Sequence, residues 1–569
     1  MFMRVLALCT FLPIAFAQRC RILPSDDSWP TSQQWNAFND SVDGRLIKTI
    51  PVGSPCHDPN FDQEKCDAVR AGWEAPKIHT SSPSSVMDTL YTNYSCDPFT
   101  PRERPCEIGA YVQYSVNVSS PQHVAKTIDL VKEHNIRLVV KNTGHDFMGR
   151  STATGAISIW THHLQNITWV PVFTGPTYTG SAVKAHAGVS GGDLLSFAGK
   201  YGHIVVTGDC PSVGFAGGYV QGGGHSAITN VYGLAADQVL EFEVITSQGE
   251  FLVASPSENE ELFWALQGGG GGTYAIVWSV TVKAHPDAPV SVGFLIFTIT
   301  TGTEDYWKAV HAYQAIIPNI TDSKMSALAT YSPPAFGITP IVALNKSESD
   351  IREIFQPLVQ TLDALGANYT FTTFSRATYL EGYKDAGFPQ TPVGGQLNGG
   401  RLLPRSLWES TTSFDALKNT TRGVIDSGAS AWEITLRPTL ELAGHPNNAI
   451  LPAWREAQTL FVPVMQVSSL VVMIEAYPPT TPFEQLLRGQ DRITNEFDPP
   501  LKELAPESGA YLNEANVNDP DFKQSFYGVN YDRLLVIKDK WDPDEILYGS
   551  IAIGGDRWYQ DVDGRLCRK

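Results

Sequence analysis

The segment Ile136-Arg137-Leu138-Val139-Val140-Lys141-Asn142-Thr143-Gly144-His145-Asp146 runs from four branched or apolar residues straight into a polar, glycine-containing turn. The apolar run is short enough for a buried strand. Upstream, Val124, Ile128, Leu130 and Val131 make a helical stripe, so Pro121 to Val140 predicts a helix followed by that strand. A second unit repeats the theme: strand Val183 to Ala187, turn Gly188-Val189-Ser190-Gly191-Gly192, then a helix from Asp193 to Tyr201. Next comes a glycine-dense stretch, Gly208-Asp209-Cys210-Pro211-Ser212-Val213-Gly214, followed by Gly217-Gly218 and Gly222-Gly223-Gly224-His225. Val239–Thr246 and Phe251–Ala254 form a hairpin, and Glu260–Leu266 leads into five glycines, Gly268 to Gly272, before strand Ala275–Val282. The pattern is that of an α+β domain whose backbone repeatedly approaches something large.

From about Pro286 to Pro500 the pattern changes. Strands at Ser291–Ile299, Ala431–Leu436 and Ser468–Ala476 alternate with helices at Asp305–Ile316 and Asp350–Leu365. This predicts an antiparallel sheet with helices inserted into the first domain, whose style resumes after Leu504. The 569 residues suit such an arrangement, and 48 glycines with 18% charged residues exclude a coiled coil or a disordered chain. A net charge of −18 without a basic block excludes a nucleic-acid partner.

Met1 to Ala17 reads as a secretory signal peptide: Arg4, an apolar run from Val5 to Phe16, and the small-x-small site Ala15-Phe16-Ala17. The run is too short to span a bilayer, and no later stretch qualifies, so no membrane partner is expected. Asn39, Asn93, Asn117, Asn166, Asn319, Asn345, Asn368 and Asn419 begin Asn-x-Ser/Thr acceptors, which predicts N-glycans on a secreted, extracellular protein. Cys9 leaves with the signal, and the seven remaining cysteines are an odd number. Cys210 stands far from the others, as a buried thiol or a chemically used one.

Several catalytic classes lose ground. There is no Gly-x-Gly-x-x-Gly opening a βαβ unit, no phosphate loop and no His-Glu-x-x-His; no metal site is expected. Gly188-Val189-Ser190-Gly191-Gly192 does fit Gly-x-Ser-x-Gly between strand and helix, so a secreted serine esterase on Ser190 is one reading. The other is a tight turn into a helix start that Ser190 or Asp193 caps. The glycine clusters together favour a different chemistry. Turns at Lys141–Asp146 and Gly217–Gly224 can point backbone N–H groups at a pyrophosphate, laying a dinucleotide across several loops.

Lys141-Asn142-Thr143-Gly144-His145-Asp146 with Gly149-Arg150-Ser151, then Cys210-Pro211-Ser212-Val213-Gly214 leading to Gly222-Gly223-Gly224, resembles the berberine-bridge-enzyme-like flavoproteins of the vanillyl-alcohol-oxidase superfamily. Tyr511-Leu512-Asn513, Tyr527-Gly528-Val529-Asn530-Tyr531 and Asp542-Pro543 resemble that family's carboxy-terminal signature, and the whole is similar to secreted fungal members of the isoamyl alcohol oxidase type. The resemblance implies a split FAD-binding domain of the vanillyl-alcohol-oxidase type, residues 18–285 and 501–569. It also implies an inserted substrate domain, 286–500, built on an antiparallel sheet covered by helices. It implies FAD bonded covalently to His145 and Cys210. Lys141, Asn142, Thr143, Gly144, Asp146, Ser151, Gly214, Gly218, Gly222, Gly223, Gly224 and Asn513 are expected around it. The implied reaction moves hydride from an alcohol or related small molecule to flavin N5, with reoxidation by O2 to H2O2. A flavoprotein that only binds a ligand is the remaining alternative. Tyr511, Glu514, His225 and Glu433 are candidate bases. Glu514 stands where plant members carry tyrosine, so plant alkaloid chemistry does not transfer. With Cys210 assigned to flavin, six cysteines remain, expected as Cys56–Cys66, Cys96–Cys106 and Cys20–Cys567.

Overall fold

The computed structural model describes residues 20–388, 394, 397–465 and 480–569. The signal segment and the strand expected at Ser468–Ala476 lie outside the described residues.

The segment Pro121 to Lys141 folds as its pattern predicts. Pro121–His134 is a helix with proline in its first turn and Asn135 closing it in the left-handed region. Its stripe of Val124, Ile128 and Val131 is fully buried. Strand Arg137–Lys141 pairs in parallel with Ala156–Trp160, which pairs in parallel with Tyr114–Asn117; Leu46–Lys48 closes this four-stranded sheet at its edge. A parallel strand is covered on both faces, which is why 138–140 reads as a continuous apolar run. A second, antiparallel sheet runs Ile167–Thr174, Thr179–His186, Ala275–Lys283, Val239–Thr246, Phe251–Ala254.

The third sheet holds the strands of the insertion, antiparallel throughout. Its order is Asn368–Arg376, Val290–Thr298, Ala335–Leu344, Ser326–Ser332, Ser430–Thr435, Ala457–Met465, Leu397–Asn398, with Arg401–Pro404 also on Ala457–Met465. Helices Thr303–Asp322, Glu348–Ala364 and Thr411–Asp426 cover one face, where Leu295, Phe297, Ala329, Tyr331 and Phe461 join one core. The opposite face is left for the first domain.

The carboxy-terminal segment returns to that domain through a buried pair. Lys538 in helix Tyr531–Trp541 reaches Asp542 at 2.5 Å and donates to the carbonyls of Thr273 and Leu547. The expected disulfides Cys20–Cys567, Cys56–Cys66 and Cys96–Cys106 form. The first ties together the two ends of the described chain. Among the described residues no helix is long and apolar enough to cross a membrane.

Candidate functional site

A cavity of about 580 Å³ opens where the two glycine-rich sheets meet the bare face of the third. The turn after Arg137–Lys141 lies at the carboxyl end of a parallel strand, the usual ligand position in such sheets. It brings Asn142, Thr143, Gly144, His145 and Asp146 to the wall, with Ser151 close behind. The Cys210–Gly214 loop forms the facing part. Cys210 is the one cysteine outside the disulfides among the described residues.

The two loops converge on one hydroxyl. His145 Nε2 lies 2.9 Å from Ser212 Oγ, and Cys210 Sγ lies 3.4 Å from the same oxygen. Burial, reinforced by the nearby Lys141 and His79 charges, pushes the His145 imidazole down to about 3, so it is neutral at ordinary pH. Its Nδ1, and Asn142 Oδ1, are buried polar atoms with no partner among the described residues. Such atoms are costly unless a ligand or solvent answers them.

Between the loops the wall is bare backbone. A Cβ on Gly214 would stand 2.3 Å from Asn142 Nδ2, and one on Gly271 would stand 2.9 Å from Gly218 Cα. Gly217, Gly218, Gly271 and Gly272 therefore form a surface without side chains that a large planar or pyrophosphate-bearing group can lie against. The orphaned polar atoms and this cradle fit FAD.

The turn Gly188–Gly192 has a structural task. Ser190 caps helix Gly191–Gly199: its Oγ accepts from Asp193 N at 3.2 Å and donates to the Asp193 carboxylate at 2.7 Å. Gly191 N and Gly192 N donate to Val213 and Pro211 carbonyls, each at 2.9 Å, so the turn backs the cysteine loop. No histidine is bonded to Ser190 among the described residues, and the esterase reading falls.

Helix Tyr379–Asp385 of the insertion clamps that loop from the other side. Tyr383 Oη lies 3.0 Å from Gly208 O and 2.8 Å from Asp209 O, the carbonyls just before Cys210.

Beside the cysteine loop, the same cavity is lined by an ionisable cluster. His225 Nε2 stands 3.2 Å from Glu514 Oε2, and Tyr511 packs edge-on against His225 at 5.3 Å. Desolvation opposes the imidazolium, but the Glu514 charge and hydrogen bond prevail, and His225 is raised from its ordinary value. Burial lifts the Tyr511 phenol well above its usual range. Asp209, which no sequence motif marks, is a buried carboxyl of this wall, pushed up to about 6 by desolvation. Asn513 Nδ2 is 2.7 Å from Gly218 O and 2.9 Å from Tyr511 Oη, tying the carboxy-terminal motif to the glycine surface. Arg150, paired with Asp146 at 2.8 Å, reaches Asn513 Oδ1 at 3.3 Å.

Three expectations are corrected by placement. Lys141 does not face the cavity: its ammonium is fully buried, 2.8 Å from Ser82 O and 3.4 Å from the His79 and Asn142 carbonyls. Desolvation takes it down to about 7. Gly222, Gly223 and Gly224 lie one layer behind the wall; a Cβ on Gly222 would meet Asn513 Nδ2 at 2.5 Å, so glycine there makes room for a residue that does face the cavity. Glu433 is on the wrong face of its strand. Side chains alternate along a strand, and Trp432 and Ile434 face the cavity while Glu433 is sealed under the helices, hydrogen-bonded by Tyr331.

Comparison with known proteins agrees with this geometry. A family described as FAD binding domain matches residues 112–255, and one described as berberine and berberine like matches residues 510–553. The FAD-linked oxidoreductase patO of Aspergillus clavatus is 42% identical over 97% of this chain and 95% of its own. The VAO-type flavoprotein oxidase VAO615 of Thermothelomyces thermophilus is 37% identical over 96% of this chain and 95% of its own. The crystal structure of the VAO-type flavoprotein MtVAO615 from Myceliophthora thermophila C1 superposes with a TM-score of 0.90 at 33% identity, over 97% of this chain and 100% of that one. A glucooligosaccharide oxidase from Acremonium strictum shares the fold at 18% identity and TM-score 0.60, over 78% of this chain and 91% of that one. The chain belongs to the FAD-linked oxidoreductases of the VAO and berberine-like type, and it is an FAD-dependent oxidoreductase.

Proposed function

We propose that the protein is a secreted alcohol oxidase that holds FAD by two covalent bonds, at His145 and Cys210, and passes electrons to O2 with release of H2O2. The observation that carries this is the approach of His145 Nε2 and Cys210 Sγ to one hydroxyl, Ser212 Oγ, across a glycine surface. The glucooligosaccharide oxidase of Acremonium strictum is described with a 6-S-cysteinyl, 8α-N1-histidyl FAD, which supports the same pair here. When bound, FAD supplies the hydride acceptor and the path of electrons to O2.

The residues of the chain do the rest. His145, kept neutral by burial, offers an imidazole lone pair for attachment. Asn513 fixes the carboxy-terminal segment against Gly218. A base must then take the hydroxyl proton of the substrate. Tyr511, with its phenol raised far above neutrality, stays protonated. His225 is raised from its ordinary value by the Glu514 charge and hydrogen bond against desolvation, which favours its protonated form beside that carboxylate. Glu514 is left as the proton acceptor, held in place by His225 at 3.2 Å.

His145→Ala and Cys210→Ala, made singly, should each keep flavin through the remaining bond, and the double variant should release it on acid precipitation. Oxygen uptake matched by peroxide is the expected turnover for the parent. Flavin released from the parent by acid, or lost completely from either single variant, would contradict the assignment.

A further inference from the structure

The cavity-facing side of the inserted sheet is chemically one-sided. Ile296, Gly337, Thr330 and Trp432 lie in register across four strands, and Ile434 sits opposite Leu328 in the next row, toward Phe294. Phe294, Ile296, Leu328, Trp432 and Ile434 present hydrocarbon to the cavity, and the only polar side chains that these strands add are the hydroxyls of Thr330 and Thr339. Among the described residues, no lysine or arginine of the sheet reaches the cavity, and Arg150 on the opposite wall is already paired with Asp146. The ionisable groups are gathered instead around His225, Glu514 and Asp209.

We propose that the substrate is a neutral alcohol with a flat, largely hydrocarbon body, an aryl or conjugated ring, whose hydroxyl meets Glu514 while the ring lies along the sheet toward Trp432. This rests on the reading of the cavity as a flavin oxidase site. A sugar unit carries several hydroxyls, and each one desolvated without a partner weakens binding. Two threonines cannot answer an oligosaccharide along this wall. An anionic substrate would meet Glu514 and Asp209 with no unpaired cation from the sheet to offset its desolvation. An aromatic ring is suited instead, because Trp432 and Phe294 offer faces and edges as well as area. They stand on strands three spacings apart, roughly 14 Å, so the wall can run alongside an extended ring system.

The test uses the flavin as its own reporter. Holoenzyme is titrated without oxygen against cinnamyl alcohol, benzyl alcohol, cellobiose and mandelate, reading bleaching of flavin absorbance and its spectral shift. The aryl alcohols should bleach the flavin at the lowest concentrations. Trp432→Ala should raise the concentration needed by about tenfold with flavin content unchanged, and Trp432→Phe should restore most of it. Cellobiose or mandelate acting at lower concentration than the aryl alcohols would overturn the proposal. So would a yellow holoenzyme that no aryl alcohol perturbs, or a Trp432→Ala response equal to the parent's. Flavin content is measured on the same preparation: loss of flavin defeats the oxidase reading itself, whereas intact flavin with the wrong preference defeats only the substrate assignment.

Discussion

Glu433 and Glu514 are both carboxylates of the wider site region, and their surroundings separate them. Glu514 faces the cavity beside an imidazole, whereas Glu433 is sealed in the core and pushed up to about 7 by burial. A carboxyl raised in the folded state binds its proton more tightly there than in the unfolded chain. Its stability contribution is therefore complete below the unfolded value near 4.5 and is lost as pH rises through about 7. Glu433→Gln, which keeps the shape without the charge, should gain in Tm relative to the parent as pH rises from 5 to 8. Each tenfold difference in proton affinity between the folded and unfolded chain is worth about 1.4 kcal/mol, enough to move a melting curve visibly. Parallel melting curves across that range check it; a constant difference would contradict it. The same two residues show what is legible in a sequence. His145, Cys210 and Asn513 are marked by their neighbours, because the turn chemistry around them is local. Glu433 and Lys141 are not, because which face a strand residue presents depends on partners far away in the chain.

At the scale of elements, the helix Tyr379–Asp385 carries a consequence. Tyr383 Oη bonds the two carbonyls before Cys210, so this helix of the insertion fixes the loop that presents the thiol. The phenol shares its single proton between the two carbonyls, and such a hydrogen bond is worth about 1 kcal/mol in stability, too little to unfold the protein if removed. Tyr383→Phe should therefore fold normally while the fraction of flavin bonded through sulfur falls, and attachment through His145 should persist. Mass spectrometry of flavin peptides distinguishes the two bonds; an unchanged sulfur-linked fraction would contradict the role. The five-glycine run and the inserted strands are visible as elements in the sequence. Their convergence is not, since the apolar runs in Ser291–Ile299 and Ala431–Leu436 show that buried strands exist without showing which face meets the glycines.

At the scale of the molecule, the proposed secretion makes a prediction of its own. Asn93, Asn166, Asn319, Asn345, Asn368 and Asn419 are exposed. Asn39 and Asn117 are only half-exposed; Asn39 Oδ1 accepts a bond from Leu46 N and Asn117 Oδ1 is buried, so the folded chain leaves less room for a glycan at either. Glycopeptide mapping of protein from a secreting host should find modification among the six exposed positions and none at Asn39 or Asn117; occupancy of either would contradict the placement. The whole architecture serves one arrangement. Parallel strands deliver His145, the glycine loops leave a bare surface, the carboxy-terminal segment returns Asn513 and Glu514, and the inserted sheet closes the cavity with hydrocarbon. The measurement that tests this most directly is peptide mapping of the acid-precipitated, proteolysed protein. The predicted result is one flavin joining the His145 peptide to the Cys210 peptide. A flavin found free in the supernatant, or bonded to neither residue, would contradict it.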